Sequence, residues 1–180
     1  MPERKVAAAV FGGGCFWCTE AVFTALKGVV SVISGYAGGS VEKPTYKQVC
    51  SGQTGHAEVV MVEYDPAVIS YHDLLGVFFA THDPTTLNKQ GNDVGTQYRS
   101  VIFTTSAEQA AEAEKFIAEL NALGNFDAPI ITKVEPLKDF YEAEEYHRDY
   151  YKNNPAAGYC QAIISPKLAK FRANYAHLLK

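Results

Sequence analysis

Apolar positions along this chain come in short runs punctuated by glycine, and the runs predict its elements. Val6 to Phe11 is apolar throughout and closes on Gly12-Gly13-Gly14, which predicts a strand running into a sharp turn. Cys15 to Lys27 can be helical, with Gly28 placed to end the helix. Val29 to Tyr36 is rich in Val and Ile and ends at Gly38-Gly39. It predicts a second strand that returns beside the first by a right-handed crossover, making a βαβ unit. Ala57 to Tyr64 is apolar on both faces, as expected near the middle of a helix-covered sheet, and Asp65-Pro66 stops it. Tyr71 to Ala80 suits a short helix. From His82 to Gln97 the chain is polar, with Asp83-Pro84, Gly91 and Gly95 and no apolar period, so a long loop is expected before a strand at Tyr98 to Thr104. Loops of that length inside a compact domain tend to carry function.

Further on, Ser106 and Gln109 resemble a capping box, and Ala110, Ala113, Ile117 and Leu120 mark one face of the helix that follows. Ile130 to Val134 is a short strand candidate. Glu142, Glu144, Glu145, Arg148 and Asp149 read as a solvated surface that needs no function. From Lys167, Leu168, Phe171, Tyr175 and Leu178 stand at helical spacing, predicting a last amphipathic helix over the core.

The 180 residues are 47% apolar, enough for one well-buried core, so a single domain over 1–180 is expected. A formal charge of -4, with both signs mixed along the chain, leaves no basic stripe for nucleic acid or an anionic membrane. Met1-Pro2-Glu3-Arg4-Lys5 leads into an Ala/Val stretch shorter than a signal peptide or a membrane span, and a cytoplasmic location is expected. Four cysteines are too few for a disulfide scaffold.

Cys15 carries the first chemical signal. Three glycines before it permit a tight turn, and the free N–H groups of a helix start favour a thiolate, which is nucleophilic. A small buried core thiol fits the position equally. Cys18, one turn on, is either the second thiol of a redox pair or a residue packing inward with Val22 and Ala25. Zinc would need another ligand pair, whereas Cys50 and Cys160 are isolated, with His56 the near neighbour of Cys50. Glu58 shares a strand face with Val60 and Val62. If that face is buried, desolvation makes Glu58 a neutral acid able to donate a proton; in water it is an ordinary strand-end carboxylate. Phe16 and Trp17 are core aromatics or the apolar wall of a pocket.

Gly13-Gly14-Cys15-Phe16-Trp17 resembles the active-site signature of the A-type peptide methionine sulfoxide reductases. Other motifs of that family follow in order: Gly35-Tyr36-Ala37-Gly38-Gly39, Pro44-Thr45-Tyr46, Val49-Cys50-Ser51-Gly52 and Thr54-Gly55-His56-Ala57-Glu58. Then come His82-Asp83-Pro84-Thr85 and the run from Gln90 to Ser100. The match covers roughly residues 6 to 104. The fold then expected is α+β: a two-layer sandwich with a mixed sheet, a βαβ unit, a ferredoxin-like core and long active-site loops.

The resemblance implies roles for the matching positions. Cys15 is the nucleophile, Glu58 the acid, Tyr46 and Tyr98 hydroxyl donors, Asp93 a supporting polar group, and Phe16 with Trp17 the pocket for the substrate methyl. His56 and Arg99 would be structural supports and Cys50 a buried, inert thiol. No metal or organic cofactor is implied. The oxidised Cys15 would be resolved by Cys160, which resembles the family's C-terminal thiol, and the disulfide reduced by thioredoxin or dithiothreitol. Cys18, where many members have Gly, is a possible additional redox thiol. Substrates would be proteins and peptides carrying methionine S-sulfoxide, and a monomer is expected. Competing readings are a dithiol oxidoreductase using Cys15 and Cys18 alone, a metal-stabilised interaction domain, and a Cys-His hydrolase with His56 as base.

Overall fold

Strands β1 (Ala7–Gly12), β2 (Val29–Ala37) and β3 (Ala57–Tyr64) form the centre of the sheet, and their alternating side chains divide the apolar interior in two. The computed structural model describes residues 6–90, 93–124, 126–154, 157–158 and 164–179. Cys160 and Met1 to Lys5 lie outside them. The remaining strands are β4 (Lys89–Gln90), β5 (Asp93–Val94), β6 (Val101–Thr104), β7 (Lys133–Pro136) and β8 (Phe140–Glu142). The helices are α1 (Phe16–Thr24), α2 (Tyr46–Cys50), α3 (Tyr71–Ala80), α4 (Ala107–Leu123), α5 (Tyr150–Asn153) and α6 (Ser165–Asn174).

The main sheet runs β7-β6-β1-β3-β2-β8 and is mixed: β6 and β7 pair in parallel, and the other neighbours are antiparallel. One expectation is corrected here. β2 does not lie beside β1, because β3 is inserted between them and pairs antiparallel with both. β3 is the strand buried on both faces, so it takes the most covered position in the sheet.

On one face Ala9, Phe11, Val32, Val60, Val62 and Ile102 pack against Phe23 of α1, Leu74 and Phe78 of α3, Ala113 of α4 and Phe171 of α6. Phe11 stacks between Phe23 and Phe78, with ring centroids 5.2 and 5.0 Å away. Removing a buried ring of this kind costs about 3–5 kcal/mol. The opposite face holds a smaller cluster of Val10, Ala37, Ala57, Val59, Val101 and Phe103.

Other boundaries differ from the sequence expectation. The last strand before α4 starts at Val101, since Thr96–Tyr98 is a turn of tight helix. The long polar loop contains the two-residue hairpin β4/β5. The strand expected at Ile130 lies at Lys133–Pro136. Ser106 caps α4 through the Gln109 N–H, but the Gln109 side-chain Oε1 accepts from the Thr105 N–H rather than that of Ser106, so only half of a capping box forms. Complete boxes occur instead at Thr45/Gln48 and Ser70/Asp73, starting α2 and α3. Among the described residues, no helix is long and apolar enough to cross a membrane.

Candidate active site

β1 ends at the three glycines, and each has a reason to be glycine. A Cβ on Gly12 would meet Val101 at 2.9 Å, and one on Gly13 would meet Phe78 at 2.9 Å. Gly14 has φ +97° and would drive a Cβ to 2.8 Å from Gln90 Cγ. The turn delivers Cys15 to the N-cap of α1 with extended backbone (φ -62°, ψ 127°). Its side chain is 7% exposed.

Glu58 comes up beside it from β3, where it pairs with Tyr36 of β2. The carboxyl is 1% exposed, and its Oε1 accepts the N–H of Phe16 at 3.2 Å. Its Oε2 has no hydrogen-bond partner among the described residues. Burial, opposed by the Phe16 N–H and assisted by the charge of Asp93, raises the Glu58 pKa from the usual 4.5 to about 8. At neutral pH Glu58 is therefore a protonated acid in an apolar wall, as the buried reading of its strand face expects.

The thiol differs from expectation. Burial pushes Cys15 well above the ordinary thiol range, helped by a hydrogen bond to the Cys18 thiol and by the nearby Glu58. The Trp17 main-chain N–H pulls the other way and is outweighed. The helix start does offer N–H groups, but that of Phe16 is taken by Glu58, so the helix end serves the acid more than the thiol. Cys15 rests here as a neutral thiol.

The other predicted residues converge. Tyr46, at the start of α2, lies close enough to Glu58, Cys50 and Cys15 for their charges to raise its pKa, though burial is the larger cause. Tyr98 is raised by burial and then by Glu58, Cys50, Asp93 and Cys15. Both phenols therefore stay protonated and can donate. Asp93, on the β5 hairpin, is close enough to Glu58 and Tyr98 to act on each electrostatically. Phe16 is fully buried and stacks on Tyr46 at 6.0 Å between centroids. Trp17 is half-buried and lies flat on Tyr150, 3.9 Å away with 11° between the planes. Cys18 is 3% exposed and packs with Cys15 and Ile164.

Two supports hold loops. His56 Nδ1 accepts the Gly39 N–H at 3.0 Å while Nε2 donates to Val41 O at 2.6 Å, so neither ring nitrogen is left to act as a base. Arg99 donates from Nη1 to Thr96 O at 2.9 Å. Cys50 departs from the expected buried, inert thiol: it is exposed at the end of α2, and its sulfur meets the Tyr46 hydroxyl.

The segment read as a mere solvated surface is partly built into the site. Glu144 accepts the Tyr36 hydroxyl at 2.9 Å and the Tyr46 N–H at 3.0 Å. His147 is fully buried, and its Nδ1 accepts the Trp17 indole N–H at 2.9 Å. Burial holds His147 below the usual histidine range, which keeps that nitrogen an acceptor. Glu142, Glu145 and Arg148 are exposed as expected. The overlooked signal was the set of aromatics among those charges, Tyr146, His147, Tyr150 and Tyr151, whose spacing turns some of them inward.

Among the described residues no group of three or more His, Cys, Asp or Glu side chains could hold a metal ion. A cavity of about 880 Å³ lies between the end of α3 and α6, lined by Phe79, His82, Phe126, Lys170, Phe171 and Tyr175. None of the predicted site residues lines it.

A nucleophilic sulfur in contact with another thiol and faced by a neutral acid suits chemistry in which the cysteine itself is oxidised and then restored, the mark of a thiol oxidoreductase. The comparisons specify which. The family model described as peptide methionine sulfoxide reductase matches residues 7–179. The peptide methionine sulfoxide reductase MsrA of Ralstonia nicotianae is 58% identical over 185 residues, covering 100% of this chain and 97% of that one. Among solved structures, reduced Mxr1 from Saccharomyces cerevisiae superposes with a TM-score of 0.81 at 41% identity, over 88% of this chain and 91% of that one. Mxr1 in complex with Trx2 matches with a TM-score of 0.58 at 32% identity, over 83% and 87%. The chain belongs to the peptide methionine sulfoxide reductase family.

Proposed function

We propose that this chain reduces the S epimer of methionine sulfoxide in peptides and proteins through Cys15, with Glu58 as the acid. The observation that carries the reading is the protonated Glu58 carboxyl, buried beside the Cys15 thiol and flanked by the Tyr46 and Tyr98 hydroxyls. The substrate methyl lies against Phe16 and Trp17. Cys15 sulfur attacks the sulfoxide sulfur while Glu58 gives its proton to the oxygen, and the Cys15 thiol proton replaces the one Glu58 has lost. Tyr46 and Tyr98 hydrogen-bond the oxygen as charge grows on it, in a dry site where such bonds are strongest. The oxygen then passes from the methionine sulfur to the Cys15 sulfur: the substrate S–O bond and the transient S–S bond both break, a Cys15 S–O bond forms, and methionine leaves with Cys15 as a sulfenic acid.

A second thiol then displaces water to form a disulfide, and an external dithiol takes up the oxidising equivalents. We assign the second thiol to Cys160. Ile164 shares an apolar cluster with Cys15 and Cys18, and Ala157 packs against that cluster, so the residues that bracket Cys160 in sequence lie at the site. The Cys18 thiol, hydrogen-bonded to Cys15, favours a second reading in which the disulfide closes within one turn of α1. The yeast relative's complex with Trx2 supports a protein reductant such as thioredoxin, and the cycle uses thiols alone. Such a reductant fits a cytoplasmic setting. For the fold, the order β6-β1-β3-β2, with α1 and α3 as crossovers, supports a ferredoxin-like core.

The test is turnover of a methionine sulfoxide peptide followed by mass spectrometry. Cys15→Ser should form no methionine, and product from that variant would refute the proposal. Cys160→Ser should make one methionine per enzyme and stop cycling with thioredoxin. Unimpaired cycling in Cys160→Ser, lost on adding Cys18→Ser, would transfer the resolving role to Cys18.

A further inference from the structure

The site leaves one buried carboxyl without a task. Glu20 lies on α1, three residues past Trp17 and hence on nearly the same side of the helix, and it is 3% exposed. Carboxylates are almost never buried unless paired, so its surroundings are informative. From β2, the Ser34 hydroxyl donates to its Oε2 at 3.2 Å. From the C-terminal segment, the main-chain N–H groups of Asp149 and Tyr150 hydrogen-bond to the same carboxyl. Asp149 is held there in the left-handed region (φ 51°, ψ 36°), which residues other than glycine avoid and which persists only where surrounding contacts impose it. The next residue is Tyr150, whose ring covers the indole of Trp17.

We propose that Glu20 is a positioning residue for the substrate wall: its buried carboxyl clamps the Asp149–Tyr150 turn and thereby seats Tyr150 on Trp17. The indole is fixed on two sides by this arrangement, its N–H by His147 and its face by Tyr150. Tyr150 belongs to the turn that Glu20 holds and His147 lies two residues before it, so one carboxyl sets the spacing of both. No proton or electron passes through Glu20. Its effect reaches the reaction only through the orientation of Trp17, and in that respect the inference rests on Trp17 contacting the substrate methyl.

Trp17 is the chain's single tryptophan, so fluorescence reports the wall directly. The experiment compares Glu20→Ala, Glu20→Gln and Tyr150→Leu, with folding checked by circular dichroism. Glu20→Ala should shift Trp17 emission to the red, increase its quenching by acrylamide and raise KM for a methionine sulfoxide peptide about tenfold. With dithiothreitol as reductant, kcat should stay within about twofold. Glu20→Gln, whose amide oxygen accepts the same N–H groups, should restore most of both readouts. Tyr150→Leu should reproduce the KM rise with Glu20 intact, and carries the test if Glu20→Ala does not fold. Wild-type emission and KM in a folded Glu20→Ala, or a normal KM in Tyr150→Leu, would overturn the proposal. A red shift with unchanged KM would leave the clamp standing but remove Trp17 from the substrate wall, so failures of the two readings are distinguishable.

Discussion

Replacing Glu58 by Gln should make the protein more stable in mild alkali while crippling it as an enzyme. Burial raises the Glu58 carboxyl from 4.5 to about 8. The folded chain thus holds a proton that the unfolded chain releases. For a group raised in this way the stabilising contribution is complete below about pH 4.5 and is lost as pH climbs to 8. At about 1.4 kcal/mol per pH unit, that loss is on the order of 4 kcal/mol across the window. Glutamine has no proton to lose, and its Oε1 can still accept the Phe16 N–H. Its amino group would stand where Oε2 has no partner, at a cost of about 1–3 kcal/mol. Glu58→Gln should therefore be no more stable than the parent at pH 5 and more stable by on the order of 2 kcal/mol at pH 8. Urea unfolding at pH 5, 6.5 and 8 measures the difference. Turnover of a methionine sulfoxide peptide should meanwhile fall by about 10²–10⁴-fold. The parent should lose activity as pH rises through about 8, where Glu58 gives up its proton. A stability difference that is flat from pH 5 to 8 would refute a buried, protonated Glu58, and full activity in the variant would refute its role as the acid.

Two further perturbations separate backbone from chemistry. Gly14→Ala places a Cβ at φ +97° against Gln90, and should lower Tm in calorimetry by about 5 °C, as a strain of about 1–3 kcal/mol implies for this size. Tyr46→Phe and Tyr98→Phe each remove one of the hydroxyls proposed to hydrogen-bond the sulfoxide oxygen, and each should reduce kcat by about 10²-fold in a peptide turnover assay. Unchanged kcat in both would remove the phenols from the mechanism.

Much of this arrangement was legible in the residues. The three glycines and the polar loop running from His82 to Gln97 mark a turn and a site loop from local pattern alone, while Glu58 on the largely apolar β3 stood out as a carboxylate whose burial the pattern left open. Strand order was not, because whether β2 lies next to β1 or one place away depends on where β3 is most completely covered, a property of the assembled sheet. Of the two states open to Cys15, position could not choose the neutral thiol, for a related reason. A helix start favours a thiolate only when its N–H groups are free and water is near, and neither condition can be read from a sequence. Glu144, His147 and Asp149 were missed because their charges suit a solvated face, while the contacts that turn them inward are made with Tyr36, Trp17 and Glu20, more than a hundred residues away.

Burial, with the Cys18 thiol and Glu58 close by, leaves the cysteine a neutral and chemically quiet thiol. Peroxides and alkylating agents react with thiolates far faster than with thiols. A sulfoxide is a different kind of electrophile: under the proposed mechanism its oxygen takes the proton of Glu58, so reactivity arises only when this substrate is in place. A reductase working where oxidants have already damaged proteins would thereby carry a nucleophile those oxidants find hard to spend, since the burial that keeps the thiol neutral is the same burial that keeps Glu58 protonated.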